Sequence, residues 1–213
     1  MKYRQLVSKL PIVAFTKSEQ STATRRRLIA TARALFAKRG YAAVGTEEIV
    51  KRARVTRGAL YHHFRDKRDL FRAVHVEVEA EMAGFVRAQL ARTSVTQPME
   101  LFRAGARAFL DKSAEPAYGR IALIEAPTVV GWAEWRAVDE RYGLGLVITG
   151  LQAAMTAGAI TVQPAKPLAH LLRAAIGEAG MLIANSSDGD AVRAEVEPAL
   201  LTLIEGLAAP VSS

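Results

Sequence analysis

Apolar residues recur along this chain at helical spacing, and nowhere do they alternate for long enough to predict a strand. Leu28, Ala32, Leu35 and Phe36 stand at i, i+4, i+7 and i+8, with Ser21, Thr22 or Thr24 available as caps and Gly40 as the stop. Two short helices follow, joined by the turn Ala53-Arg54-Val55-Thr56. Small Ala53 lets the helices approach, Val55 fills their corner, and the Thr56 hydroxyl caps the second helix. That second helix, from Thr56 to Phe64, puts Leu60 and Phe64 on one side and Arg57, Gly58, Tyr61 and His62 on the other. One side packs and the other is free to enter a DNA groove. Asp66 then caps a fourth helix with Asp69 at its N3 position, and Phe71, Val74 and Val78 carry a buried stripe on to about Arg92.

Beyond a break at 93–98, helical spacing resumes over 99–112, 117–126, 132–158, 167–185 and 190–208, each bounded by Pro, Gly, Ser or Asp. The prediction is an all-α chain of about nine helices. It divides into a loose basic arm at 1–20, a three-helix helix-turn-helix domain at 21–75 with its motif at 45–64, and a larger helical domain at 76–209. The last two helices carry faces wider than a surface helix needs. Leu168, Leu172 and Ile176 on one, with Leu200 and Leu203 on the other, are expected to close a four-helix bundle with a second copy. The alternative is that both helices pack only on their own domain.

Charge sharpens this division. The formal net charge is +8, but residues 1–72 hold 18 Lys and Arg against 5 Asp and Glu, leaving 11 against 16 downstream. A basic excess confined to the first third is what a phosphate-binding footprint requires. The chain has 213 residues, half of them hydrophobic, enough to bury a sizeable core. Its lack of cysteine excludes disulfides, thiol switches and cysteine metal sites. The apolar run near Leu10 to Phe15 is short and holds Pro11, which argues against a signal peptide. Charges recur too often for a membrane span, so a cytoplasmic location is expected, with no membrane partner. His62 and His63 point about 100° apart on a helix, and His75 and His170 are distant, so no metal or other cofactor is expected.

Residues 22–82 resemble the TetR family of bacterial transcriptional regulators. The resemblance rests on Ala34-Leu35-Phe36-Ala37, Arg39-Gly40-Tyr41, Thr46 with Ile49, Val55 through Phe64, and Lys67 with Leu70. It implies an all-helical homodimer whose divergent C-terminal domain holds a small effector and releases DNA when filled. By the same resemblance, Thr46 and Lys67 match phosphate-binding positions at helix N-termini, Thr56 and Tyr61 match further backbone contacts, and Arg57, Gly58 and His62 match positions facing the bases. Free N–H groups at a helix N-terminus and cationic side chains both suit phosphate, and Arg57 suits guanine O6 and N7. Arg54 stands where the family usually has Gly, either as a strained turn residue or as an extra phosphate contact. Arg25, within the run Arg25-Arg26-Arg27, is a further backbone candidate, and His63 a packing or phosphate residue.

In the second domain the large aromatics are Phe85, Phe102, Phe109, Tyr118, Trp132, Trp135 and Tyr142. Glu125 lies among apolar residues just before Pro127, with both tryptophans close behind. A carboxylate there needs a partner: either an effector's amine or hydroxyl, or Arg120 or Arg136. These eight residues form the expected effector pocket, and ligand binding there is expected to change tryptophan emission. The leading function is a ligand-controlled repressor that binds double-stranded, palindromic operator DNA as a homodimer and is released by a small apolar or aromatic effector. A DNA-binding dimer whose second domain serves only dimerisation or a protein partner is the alternative. An enzyme is the least favoured, since no nucleophile with a base, metal cluster or phosphate loop is visible.

Overall fold

The computed structural model describes residues 16–208. The expected arm lies mostly outside this range, and its end is corrected: helix α1, Lys17–Arg39, starts inside the span assigned to the arm. Its cap is Thr16 rather than Ser21, Thr22 or Thr24. The Thr16 hydroxyl accepts from the Glu19 N–H at 3.2 Å, and the Glu19 carboxylate accepts from the Thr16 N–H at 2.7 Å, a closed capping box. Helices α2, Thr46–Ala53, and α3, Arg57–His63, are held at an angle by Ala53, Leu60 and Phe64, all buried against α1. Helix α4, Lys67–Arg92, is capped by Asp66, whose side chain accepts from the Asp69 N–H at 2.7 Å.

Five further helical stretches complete the chain: α5, Pro98–Ser113; α6, residues 116–129; α7, residues 132–156; α8, Ala165–Asn185; and α9, Gly189–Glu205. Two of them contain a wide, π-helical turn, Gly119–Glu125 in α6 and Glu140–Leu144 in α7. In α6 the cause is visible in the sequence. Pro127 has no N–H, and its ring would meet the carbonyl of residue 123 in a regular helix, so the preceding turn widens. Among the described residues no strand forms, apart from one isolated bridge between Ile160 and Ala208.

The N-terminal core is Leu28, Phe36, Ile49, Leu60, Leu70 and Phe71, all fully buried. Phe36, Tyr41 and Phe71 form an aromatic triangle with centroids 5.2–5.7 Å apart. Each such side chain contributes about 1.5–3 kcal/mol of burial. The boundary expected at residue 75 falls in the middle of α4, and that one helix belongs to both domains. Its Leu70, Phe71 and Val74 complete the N-terminal core, while Val78, Met82 and Ala83 enter the C-terminal one.

Most of the residues expected to form a dimer stripe on the last two helices do not lie on the outside of the chain. Leu172, Ile176 and Leu200 are buried within the chain's own core and Leu168 is half-buried against it, leaving only Leu203 of that set outside. The outward faces instead present Leu171, 71% exposed, Ala174 and Leu182 on α8, and Ala194, Ala199 and Leu203, 61% exposed, on α9. One step along a helix turns a side chain by about 100°, which is why a face apolar all round hid the choice.

Candidate DNA-reading face and effector cavity

Helix α3 is built as the spacing predicts. Leu60 and Phe64 are buried, and Arg57, Gly58, Tyr61 and His62 are exposed on the opposite side. The Thr56 hydroxyl accepts from the Ala59 N–H at 3.1 Å, so Thr56 caps its helix. The Arg57 guanidinium sits 5.6 Å from the Tyr61 ring and 3.9 Å from Glu47, both in solvent, and can leave either for a base edge. An added Cβ at Gly58 would meet only the Thr56 hydroxyl, at 3.9 Å. Packing therefore makes no demand for glycine there. Close approach to another surface would.

Thr46 opens α2, whose N-cap is Gly45 and carries no side-chain cap. Its first N–H groups are available to a phosphate. Arg54 adopts φ 52° and ψ 48°, the left-handed conformation that favours glycine, with its side chain exposed. Strained turn and outward-facing cation thus coexist in one residue. Arg25 lies over the Phe64 ring at 5.2 Å, which fixes a cation beside the end of α3. His63 is half-buried beside it. Burial lowers its pKa, and the neighbouring His62 and Arg25 lower it further.

Lys67 has more to do inside the protein than its match implied. Its ammonium donates to the carbonyls of Tyr41 at 2.9 Å and Val44 at 3.0 Å, and lies 4.0 Å from the Tyr41 ring centroid. Burial lowers its pKa, opposed by nearby Glu125. It ties the loop after α1 to the start of α4.

Of the eight residues expected to form a pocket, the structure brings only Phe102 and Phe109 to a cavity. Glu125 is elsewhere. Its Oε2 accepts from the Tyr41 N–H at 2.9 Å, joining the wide turn of α6 to the DNA-reading domain. At Gly40, with φ 82°, an added Cβ would lie 2.5 Å from Glu125 Oε1, so glycine is what lets the carboxylate in. Among the described residues it forms no ion pair with Arg120 or Arg136; its partner is the Tyr41 N–H. Trp135 donates its indole N–H to the Ala122 carbonyl at 3.1 Å, and Trp132 is 64% exposed, stacked on Trp135 at 4.9 Å. Phe85 lies under the Lys112 ammonium, and Tyr142 under the Arg141 guanidinium. None of these four lines the cavity, so neither tryptophan is placed to touch a molecule held there.

The cavity itself has a volume of about 440 Å³ and lies between α4, α5, α7 and α8. Its walls include Met82, Val86, Leu90, Leu101, Phe102, Phe109, Leu146, Val147 and Ile176. Two charged residues that sequence reasoning missed also line it, Glu79 and Arg173. Both are buried, as are Asp139, Tyr118 and His75 next to them. Arg173 pairs with Asp139 at 2.7 Å. An added Cβ at Gly143 would stand 2.8 Å from Arg173 Nε, so a glycine in the wide turn of α7 makes room for this pair. Burial pushes the Tyr118 hydroxyl well above its usual pKa, and the Glu79 charge pushes the same way, which keeps it a donor. Asp139 is also raised by burial, against the pull of Arg173. Among the described residues no cluster of metal-ligating side chains forms, and no helix is long and apolar enough to cross a membrane.

Comparison with known proteins agrees with both halves. Residues 28–74 match the bacterial regulatory proteins of the tetR family, and residues 99–207 match the tetracyclin repressor-like C-terminal domain. The Transposon Tn10 TetC protein of Escherichia coli is 28% identical over 131 residues, 62% of this chain and 65% of that protein. The transcriptional regulator AcrR of Shigella flexneri is 43% identical over 53 residues, a quarter of each. The chain thus spans less than two thirds of the lengths of these two relatives. A solved TetR-family transcriptional regulator from Pectobacterium atrosepticum is 32% identical, with TM-score 0.79 over 93% of this chain and 100% of that one. With both of its halves matched and the whole of a solved member covered, the chain belongs to the TetR family of helix-turn-helix transcriptional regulators.

Proposed function

We propose that this protein is a ligand-responsive repressor, active as a homodimer on a near-palindromic operator and released by a small, largely apolar effector. The observation that carries this is the cavity: about 440 Å³, within the range that holds drug-sized ligands, and walled on one side by α4. A solid second core would have favoured a domain for dimerisation alone. Helix α4 also supplies Lys67, which ties the loop before α2, and Leu70 and Phe71, on which the DNA-reading domain packs. An occupant that displaces α4 therefore moves the platform beneath α2 and α3. To take the operator-competent state from 99:1 to 1:99, the effector must prefer the other state by about 5.5 kcal/mol.

Selection of operators from random duplex DNA tests this. A homodimer requires two inverted half-sites with centres roughly 34–36 Å apart or more. The exposed faces of α8 and α9 are the proposed dimer contact, so Leu171→Glu and Leu203→Glu should sediment as monomers and lose the palindrome. Selection of a single unrepeated half-site, or unchanged dimers in both variants, would refute this arrangement.

A further inference from the structure

The two ends of the cavity differ in charge. Its outer length is hydrocarbon, from Val86 and Leu90 to Leu101 and Phe102. At its inner end are Glu79 and Arg173, whose situations are unequal. The Arg173 guanidinium is engaged: Asp139 holds it at 2.7 Å, it lies 4.8 Å from the Phe109 ring centroid, and the Tyr118 hydroxyl and, from further off, the Glu79 charge also act on it. A second, part-exposed arginine, Arg136, also approaches Asp139 at 3.8 Å.

Glu79 has no such partner. Among the described residues no Lys or Arg nitrogen comes within ion-pair distance of its carboxylate. Its contacts are the Tyr118 hydroxyl, 3.4 Å from each oxygen, and His75 Nε2 at 3.6 Å. Both are at or beyond the long limit of a hydrogen bond. His75 is fully buried, and neither of its ring nitrogens has a hydrogen-bond partner. A buried carboxylate without a close donor is unfavourable until a donor arrives, and this one faces the void.

We propose that the cavity takes an amphipathic cation: an elongated apolar body carrying an N–H-bearing ammonium at its inner end, which donates to Glu79. This rests on the cavity being the effector site. An ammonium brings Glu79 both a cation at ion-pair distance and a hydrogen bond. A neutral hydroxyl brings the bond alone. A carboxylate meets the negative charge of Glu79 and a guanidinium already occupied by Asp139. The apolar body has room, because Glu79 and Leu90 are eleven residues apart on α4, about 16 Å along the axis.

The test is calorimetric titration of the full chain with n-octylammonium, n-octanol and n-octanoate at neutral pH and low, fixed salt. The ammonium should bind about tenfold or more tighter than the carboxylate, with the alcohol between them. In Glu79→Gln, an isosteric change, the ammonium advantage should fall to about threefold or less, with the alcohol unaffected. Tyr118→Phe removes a competing donor and should widen that advantage, which keeps the test open if Glu79→Gln fails to fold. Gly105→Leu supplies the second control: an added Cβ there meets only Leu90 and Val86, at 4.0 Å, so the new side chain enters the void and should abolish binding of all three. If octanoate binds tightest, or all three bind equally, and Gly105→Leu still abolishes them, the cavity remains the effector site and the cationic assignment is wrong. If no probe binds, or all survive Gly105→Leu, the effector site lies elsewhere and this inference falls with it.

Discussion

The DNA-reading face and the cavity are built from the same material, amphipathic helix, and work in opposite ways. On α3, function lies in what is left outside after Leu60 and Phe64 are buried: an arginine, a glycine, a tyrosine and a histidine with few internal obligations. In the C-terminal half, the proposed function lies in what four helices fail to fill, with Glu79 held inside the failure. The first is set by spacing within seven residues. The second is set by how α4, α5, α7 and α8 meet, and no local pattern specifies a gap. A filled core should therefore tolerate little at the reading end, while the void should tolerate an added side chain.

The largest expected effect tests that contrast through stability. Phe71→Ala removes one corner of the aromatic triangle, and two of its three contacts, and should cost about 3–5 kcal/mol, read as a shifted denaturant midpoint. Gly105→Leu adds four carbons on α5 and should cost nothing. The cavity accepts the side chain, and leaving glycine favours a helix by about 1 kcal/mol. Comparable losses in both would mean the void is closed in solution.

Arg57→Ala should weaken operator binding by about 1–3 kcal/mol in fluorescence anisotropy while changing random duplex affinity far less. Equal losses on the two DNAs would make Arg57 a phosphate residue. Smaller still is the link between the regions. Glu125→Ala leaves the Tyr41 N–H without its acceptor and should cost about 1–2 kcal/mol, with faster amide exchange at Tyr41 while the cavity's probe affinities hold. At Arg54→Gly the two terms oppose each other. Relief of the left-handed φ is worth about 1–2 kcal/mol, and the freer unfolded chain takes back about 0.4–1 kcal/mol, leaving a gain of about 0.6–1 kcal/mol. If Arg54 touches DNA, the same variant also binds operator with a shallower salt dependence.

The reading end was legible because its rules are local. The caps at Thr56 and Asp66, the turn through Arg54 and the sidedness of α3 follow from residues within one or two turns. Glu125 was misplaced because its partner, the Tyr41 N–H, is 84 residues away, and only the packing of α6 on the first domain brings them together. Glu79 and Arg173 left a signal that went unused. Phe71, Val74, His75, Val78, Glu79 and Met82 form one continuous i, i+3, i+4 stripe, so His75 and Glu79 belong on the buried side of α4. Arg173 stands similarly between Leu172 and Ile176 on the inner face of α8. Charges on a buried stripe mark a polar site. The wide faces of α8 and α9 were ambiguous for the opposite reason: apolar positions all round conceal which third is inward.

That a void in one half governs reading by the other is tested most directly with a compound that frees the operator from the wild-type protein. Its effect is measured again, by anisotropy of labelled operator, on Gly105→Leu. The filled variant should bind operator as tightly as wild type and hold it at compound concentrations that release the wild-type complex. Full release of the variant at the same concentrations would contradict control through this cavity.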